Sequence, residues 1–80
     1  MYTIDKRFIW IEEEQRFIRR IYDSEGNIVA YGEVYKDTNS RVCIGEKVGN
    51  FGTSCSLKAA KNGISDRLRR TLTQLNNESK

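Results

Sequence analysis

Five basic side chains lie close together near the end of the chain, in a segment with one acidic residue, Asp66. Lysine and arginine on a helix contact the phosphates of nucleic acid, and such contacts supply affinity without reading the base sequence. An ordinary solvated helix is the alternative, because cations also suit the carboxyl end of a helix. The predicted nucleic-acid-binding residues of this segment are Lys58, Lys61, Arg67, Arg69 and Arg70.

Aromatic and basic residues of a predicted β-hairpin form a second candidate surface. Aromatic rings stack on unpaired bases and arginine holds phosphate, as in many proteins that bind single strands. The residues predicted for this surface are Arg19, Tyr31 and Tyr35, with Phe17 and Arg16 beside them. The alternative is that the rings pack against Phe8 or Trp10 of the first strand, or against a second subunit.

Three further patterns are weaker. The glycine-rich segment 45–54 lacks the Gly-Lys-Ser/Thr ending of a Walker loop, so it predicts at most one phosphate contact ahead of the helix. The acidic run at residues 12–14 is interpreted as a solvated turn, because consecutive residues of a strand point to opposite faces. Cys43 and Cys55 have no histidine or further cysteine to complete a zinc site, and we expect two free thiols, with a single disulfide as the alternative.

Composition narrows the function classes. Fourteen lysines and arginines against 11 aspartates and glutamates give a formal charge of +3 in 80 residues, a length that fits one small domain. The excess is uneven, since residues 1–36 carry a net charge of −1 and residues 37–80 one of +4. Histidine is absent, which removes the commonest catalytic base. We therefore expect no enzyme activity, no cofactor and no metal.

The chain has no apolar run long enough to cross a membrane, and its first residues are polar and mixed in charge. We expect a cytoplasmic protein without a membrane partner.

The strongest local prediction is the hairpin. Residues 17–22 and 28–35 are rich in β-branched and aromatic residues, and Asp23-Ser24-Glu25-Gly26-Asn27 between them fits a type I turn with a glycine bulge. The register predicted from this turn places Ile18 opposite Gly32. It assigns Ile18, Tyr22, Ile28, Ala30, Gly32 and Val34 to the face under a helix, and Phe17, Arg19, Ile21, Val29, Tyr31, Glu33 and Tyr35 to the other face. The small residues Ala30 and Gly32 predict that the helix lies close to the sheet.

Two more strands are predicted, at residues 3–12 and 41–48. A helix across residues 10–22 is the alternative for the first, but the abundance of Phe, Ile, Trp and Tyr favours a strand. In the second, Gly45 indicates a bulge or a close approach of another backbone.

The last element is predicted to be an amphipathic helix capped by Ser54 or Ser56. Its apolar residues fall within a stripe of about 120° on the helix surface. They are Leu57, Ala60, Ile64, Leu68, Leu72 and Leu75. The predicted fold is α+β over residues 1–76: a three- to four-stranded antiparallel β-meander with one C-terminal amphipathic helix packed on one face, followed by a frayed polar tail at 77–80.

Strands followed by a basic helix that begins Leu57-Lys58-Ala59-Ala60-Lys61 loosely resemble the second half of a double-stranded-RNA-binding domain. They also resemble the three-stranded arm-binding domains of phage integrases. The resemblance covers residues 15–75, and it implies an architecture without assigning any residue a role.

Two functions follow from these patterns. The first is a small, non-enzymatic nucleic-acid-binding module that contacts mainly the phosphate backbone through its C-terminal helix. The alternative is a protein-binding adaptor or inhibitor, such as a mobile-element or phage-type regulator, that docks through its aromatic sheet face or a strand edge, and a homodimer is one form of it.

Overall fold

A computed structural model describes residues 1–78, and it confirms an α+β fold in which one C-terminal helix packs on an antiparallel sheet. The described residues contain six strands, more than the predicted three to four. These are β1 (Thr3–Ile4), β2 (Ile9–Ile11), β3 (Arg16–Tyr22), β4 (Ile28–Tyr35), β5 (Asn39–Ile44) and β6 (Lys47–Thr53). The helix α1 spans Leu57–Glu78.

The first predicted strand is divided into two short ones, and both pair with β3. Ile4 of β1 lies opposite Ile21, and Ile9 of β2 lies opposite Ile18. The chain between them leaves the sheet, and the Asp5 carboxylate accepts the backbone N–H of Arg20 at 3.0 Å. The other strands follow as a meander in the order β3-β4-β5-β6. The alternative helix across residues 10–22 is therefore wrong.

The predicted turn between β3 and β4 is confirmed, but the predicted register is wrong. The Asp23 N–H donates to Asn27 O at 2.9 Å, and Gly26 has a φ of +87°. A β-bulge then adds one residue to β4 after the pair Tyr22–Ile28, so Arg19, not Ile18, lies opposite Gly32. Side chains alternate between the two faces of a sheet. This shift of one residue therefore reverses the faces predicted for the β3 side chains from Arg16 to Ile21.

The corrected register gives the helix side of the sheet a different set of β3 residues. Ile21 is fully buried under α1, together with Ala30 and Val34 of β4. Phe17 and Arg19 also lie on the helix side, contrary to the prediction. The opposite side, here called the open face, carries Arg16, Ile18, Arg20, Tyr31, Glu33, Tyr35, Arg41 and Cys43.

The segment after β5 also differs from the prediction. The strand predicted at 41–48 ends at Ile44, and Gly45, with a φ of +60°, lies in a tight turn instead of in a bulge. Most of the glycine-rich segment 45–54 forms a further strand, β6, which pairs with β5 from Lys47 to Thr53.

The amphipathic helix is confirmed. Ser56 caps it, since its Oγ accepts the Ala59 N–H at 3.1 Å. Ala60, Ile64 and Leu68 are buried in the core, and the outer apolar residues of the predicted stripe pack around them. They sit close above the sheet because Gly32 has no side chain, as the small residues of β4 predicted.

The helix continues through residues 77 and 78, which the sequence places in a frayed tail, while Ser79 and Lys80 lie outside the described residues. The division at residue 76 stays a prediction. Within the part of the chain that the structure describes, no helix is both long and apolar enough to cross a membrane.

Candidate nucleic-acid interface

The cations of α1 point in several directions from the sheet. Lys58, Arg69 and Arg70 are exposed, while Lys61 and Arg67 are half-buried at opposite edges of the helix. Asp66, three residues before Arg69, forms an exposed ion pair with it. All five predicted residues are thus on α1, but they surround its solvent side instead of forming one ridge.

The charge of α1 stands out against the rest of the chain. The helix holds five basic and two acidic residues, an excess of three that equals the formal charge of the whole chain. Residues outside the helix therefore balance to zero. The arginines of β3 give that strand an excess of three as well, but they are half-buried, whereas Lys58, Arg69 and Arg70 of α1 are exposed.

At one edge of α1, a cation lies against aromatic rings. The Lys61 Nζ is 3.6 Å from the centroid of the Phe17 ring, a close cation–π contact. The Phe17 ring in turn contacts Trp10, with centroids 4.7 Å apart and planes tilted by 54°. Packing of Phe17 on the first strand, which the sequence left as an alternative, is therefore what occurs. We call Trp10, Phe17 and Lys61 the aromatic seam.

Arg19 continues this edge of α1 and does not join Tyr31 and Tyr35 as predicted. Its Nε donates to the Asp5 carbonyl at 2.8 Å, and its Nη1 donates to the Ser65 hydroxyl of α1 at 3.0 Å. The guanidinium also lies 6.0 Å from the centroid of the Phe8 ring. Arg19 therefore fastens the β1–β2 connection to the helix.

The opposite edge of α1 borders the β5–β6 hairpin. Arg67 lines a groove of about 480 Å³ together with Val42 and Ile44 of β5 and Lys47 of β6. Two cations thus face a partly apolar groove on this side. Arg67 is separated from Lys61 by the width of the helix.

The open face is built around a buried carboxylate. Glu33 is 1% exposed, and its Oε1 accepts the Arg41 Nε at 2.8 Å and the Tyr35 hydroxyl at 3.2 Å. Its Oε2 pairs with Arg16, which also pairs with Glu14. We call Arg16, Glu33, Tyr35 and Arg41 the Glu33 cluster.

The ion pairs of the Glu33 cluster affect its arginines. Burial lowers the pKa of Arg16, but its bonds to Glu33 and Glu14 outweigh this effect and keep the pKa above the ordinary value. The pKa of Arg41 is raised by the hydrogen bond to the Tyr35 hydroxyl and by the charge of Glu33. Both guanidinium groups are thus fixed cations, and Glu33 compensates them.

The tyrosine rings of the open face are already in contact with arginines. The Arg41 guanidinium lies 5.5 Å from the Tyr35 centroid, and that of Arg16 lies 5.9 Å from the Tyr31 centroid. A hydrogen bond with Cys43 and burial both raise the pKa of Tyr31. Since the ring faces and the charges are both engaged inside the protein, this arrangement favours a structural role over base stacking for Tyr31 and Tyr35.

The segment expected to contact phosphate ahead of the helix forms internal hydrogen bonds. The Thr53 hydroxyl donates to Asn39 Oδ1 at 2.5 Å, and the Ser54 carbonyl accepts the Thr38 hydroxyl at 2.7 Å. These bonds hold the end of β6 to the β4–β5 turn. Both cysteines are free thiols, Cys43 half-buried and Cys55 exposed.

Sequence reasoning missed two groups. It overlooked the Glu33 cluster because the assumed register placed Arg16 and Glu33 on opposite faces, and it gave Trp10 no role beyond core packing. One signal was present in the sequence: Glu33 is the one charged residue of the apolar strand 28–35, and an acid buried in a sheet requires a partner. The structure supplies Arg41, directly opposite Glu33 on β5.

No protein-family model, curated protein or solved structure matches the chain. The likeness to double-stranded-RNA-binding and integrase arm-binding domains therefore remains a resemblance in the order of elements.

Proposed function

We propose that the protein is a small nucleic-acid-binding module that uses the solvent side of α1 to contact the phosphate backbone. The observation that carries this proposal is the charge of the helix: α1 holds five basic and two acidic residues, and Lys58, Arg69 and Arg70 are exposed. At 1.5 Å per residue, α1 is about 33 Å long. Its exposed cations are spread along and around its solvent side, where they can contact several phosphates of a regularly charged polymer.

Binding of this kind is electrostatic and weakly specific. Each lysine or arginine that neutralises a phosphate releases condensed counterions, so affinity falls as salt rises. Lys58, Arg69 and Arg70 are exposed and reach a ligand without rearrangement of the fold. In this proposal the Glu33 cluster and the core hold the sheet under the helix and touch no ligand.

Charge reversal on the helix tests the proposal. We expect Arg69→Glu/Arg70→Glu to abolish binding to a fluorescein-labelled DNA or RNA oligomer, measured by anisotropy, while the far-UV circular dichroism spectrum is unchanged. Arg70→Glu alone and Lys36→Glu alone form a matched pair, because each reverses one exposed charge and Lys36 lies outside the helix. Arg70→Glu should weaken binding more. Unchanged affinity of the double variant would sink the proposal.

A protein-binding adaptor or inhibitor is the second candidate, and the apolar groups of the open face favour it. Ile9 is 46% exposed on β2 and Val48 is 59% exposed on β6, at the two margins of this face. β6 is also an edge strand, a site where another chain can add a strand. This candidate predicts that Tyr31→Ala disrupts a complex or a homodimer with little dependence on salt. A strictly monomeric protein in light scattering, together with salt-dependent binding to nucleic acid, would decide against it.

A further inference from the structure

We infer that the nucleic acid is single-stranded and that it binds along one edge of α1, with a base stacked on Trp10. This inference rests on the proposed function and narrows it to one class of ligand and one edge of the helix. The edge consists of the aromatic seam and the cations that continue it along α1, which are Lys58, Lys61 and Arg69.

The aromatic seam places a partly free indole one ring away from a cation. Trp10 is 36% exposed, and the Phe17 ring contacts both the indole and the Lys61 ammonium group. The indole Nε1 donates to Glu12 Oε2 at 2.5 Å, which holds the ring in place. A fixed, exposed indole with an ammonium group one ring away combines a stacking surface with a phosphate contact, as in sites that bind single strands.

The helix extends the cationic part of the seam in both directions. Lys58 lies three residues before Lys61, and Arg69 lies eight residues after it, so all three fall on the same edge of a helix with 3.6 residues per turn. From Lys58 to Arg69 this row spans about 16 Å. Arg70 is about 100° further round the helix and faces away from the aromatic seam.

Stacking on Trp10 selects for unpaired bases. In a duplex the faces of the bases are covered by their neighbours, and a ring on a protein surface reaches them only after unstacking, which costs several kcal/mol. In a single strand the bases are free to turn outward. Glu12 is the acidic group beside the indole, and it disfavours phosphate at that end of the seam, so the strand should run from Trp10 towards Arg69.

Trp10 is the only tryptophan of the chain, so its fluorescence reports directly on the seam. We expect titration with oligothymidylate, about ten nucleotides long, to quench this fluorescence in a saturable way that salt reverses. A duplex of equal length should quench weakly. With a labelled oligothymidylate, Trp10→Ala should lower the affinity about ten-fold or more, as expected for the loss of one stacked base.

Two exposed arginines give a comparison that does not disturb the core, with the difference that Arg69 also forms an ion pair with Asp66. Arg69→Glu should weaken binding to oligothymidylate several-fold more than Arg70→Glu, because Arg69 lies on the side of the aromatic seam. Glu12→Gln should strengthen binding. Circular dichroism shows whether Trp10→Ala is folded. If Trp10→Ala unfolds, Arg69→Glu still tests the same edge of α1.

The outcomes separate this inference from the proposed function. One outcome is salt-dependent binding that does not quench Trp10 and is weakened equally by Arg69→Glu and Arg70→Glu. It would contradict binding at the aromatic seam and leave the proposal of a nucleic-acid-binding helix standing. Preference for a duplex over oligothymidylate would contradict binding at the aromatic seam as well. Absence of binding to any nucleic acid would overturn both proposals.

Discussion

Gly32 of β4 lies directly under Ile64 of α1, so close that a Cβ at position 32 would overlap the Ile64 Cγ2 and press on the Leu68 side chain. Ile64 and Leu68 are both fully buried, which leaves them little room to move aside. The contact sets the height of the helix above the sheet, and it therefore fixes where the cations of α1 stand.

Gly32→Ala should destabilise the protein by about 1–3 kcal/mol, the usual cost of adding a methyl group to a packed core. Urea unfolding followed by Trp10 fluorescence measures this change. Gly49→Ala is the control, because the nearest atom to a Cβ there is 3.7 Å away and ordinary contact results. Equal stability of the two variants would show that the helix is not held at this point.

Glu33→Gln should destabilise the protein by about 3 kcal/mol, because it leaves Arg16 with a largely buried, less compensated charge. Chemical unfolding at low and high salt measures the change, and salt should alter it little since a buried pair is poorly screened. Glu14→Gln removes the exposed partner of the same arginine and should cost under about 0.5 kcal/mol. Similar losses in both variants would contradict a buried charge at position 33.

The Asp23 carboxylate should make the stability of the turn depend on pH. Its pKa lies below the ordinary value of 3.8, chiefly because it accepts the backbone N–H of Asn27, with the Glu25 N–H as a further donor. A pKa lowered by folding stabilises the fold above the unfolded-state pKa, and this stabilisation is lost as the pH falls through the folded-state pKa.

The free energy of unfolding of the wild type should therefore fall more steeply below about pH 4 than that of Asp23→Asn. The asparagine side chain retains a carbonyl oxygen that can accept the same N–H groups, so it removes the titration while keeping the turn. Parallel pH profiles of the two proteins would rule out the proposed role of this carboxylate.

Ser56→Ala should destabilise the helix by about 1 kcal/mol, the usual contribution of an N-cap serine. The Ser56 hydroxyl binds the Ala59 N–H, whereas Ser54 takes part through its main-chain N–H and carbonyl. Ser54→Ala should accordingly have a smaller effect in thermal unfolding. A larger loss in Ser54→Ala would place the cap two residues earlier than the structure does.

Local patterns predicted the parts of the fold that depend on neighbouring residues. The apolar spacing of α1, the Asp23–Asn27 turn and the small residues Ala30 and Gly32 all have a direct structural counterpart. Each of these depends on a few adjacent side chains. The sequence contains that information without any knowledge of the partner strands.

The sheet faces could not be predicted in the same way, because one bulge reverses them. Ile18 and Ile21 are equally apolar and are both buried, yet Ile21 lies under α1 and Ile18 lies beside the Glu33 cluster on the open face. The bulge follows Ile28, where alternation alone gives no sign of an extra residue. The candidate site differs from the prediction for the same reason. Arg19 lies at the edge of α1, and Arg16 forms an ion pair with Glu33.

The most direct test of the central claim is the affinity of the purified protein for single- and double-stranded DNA and RNA at about 50 and 200 mM salt. With three to five phosphates of a single strand neutralised by α1, affinity should fall about 20- to 130-fold across this range. Single strands should bind more tightly than duplexes, with quenching of Trp10. Absence of binding at the lower salt, or equal affinity at both concentrations, would contradict the account and leave α1 as a solvated surface.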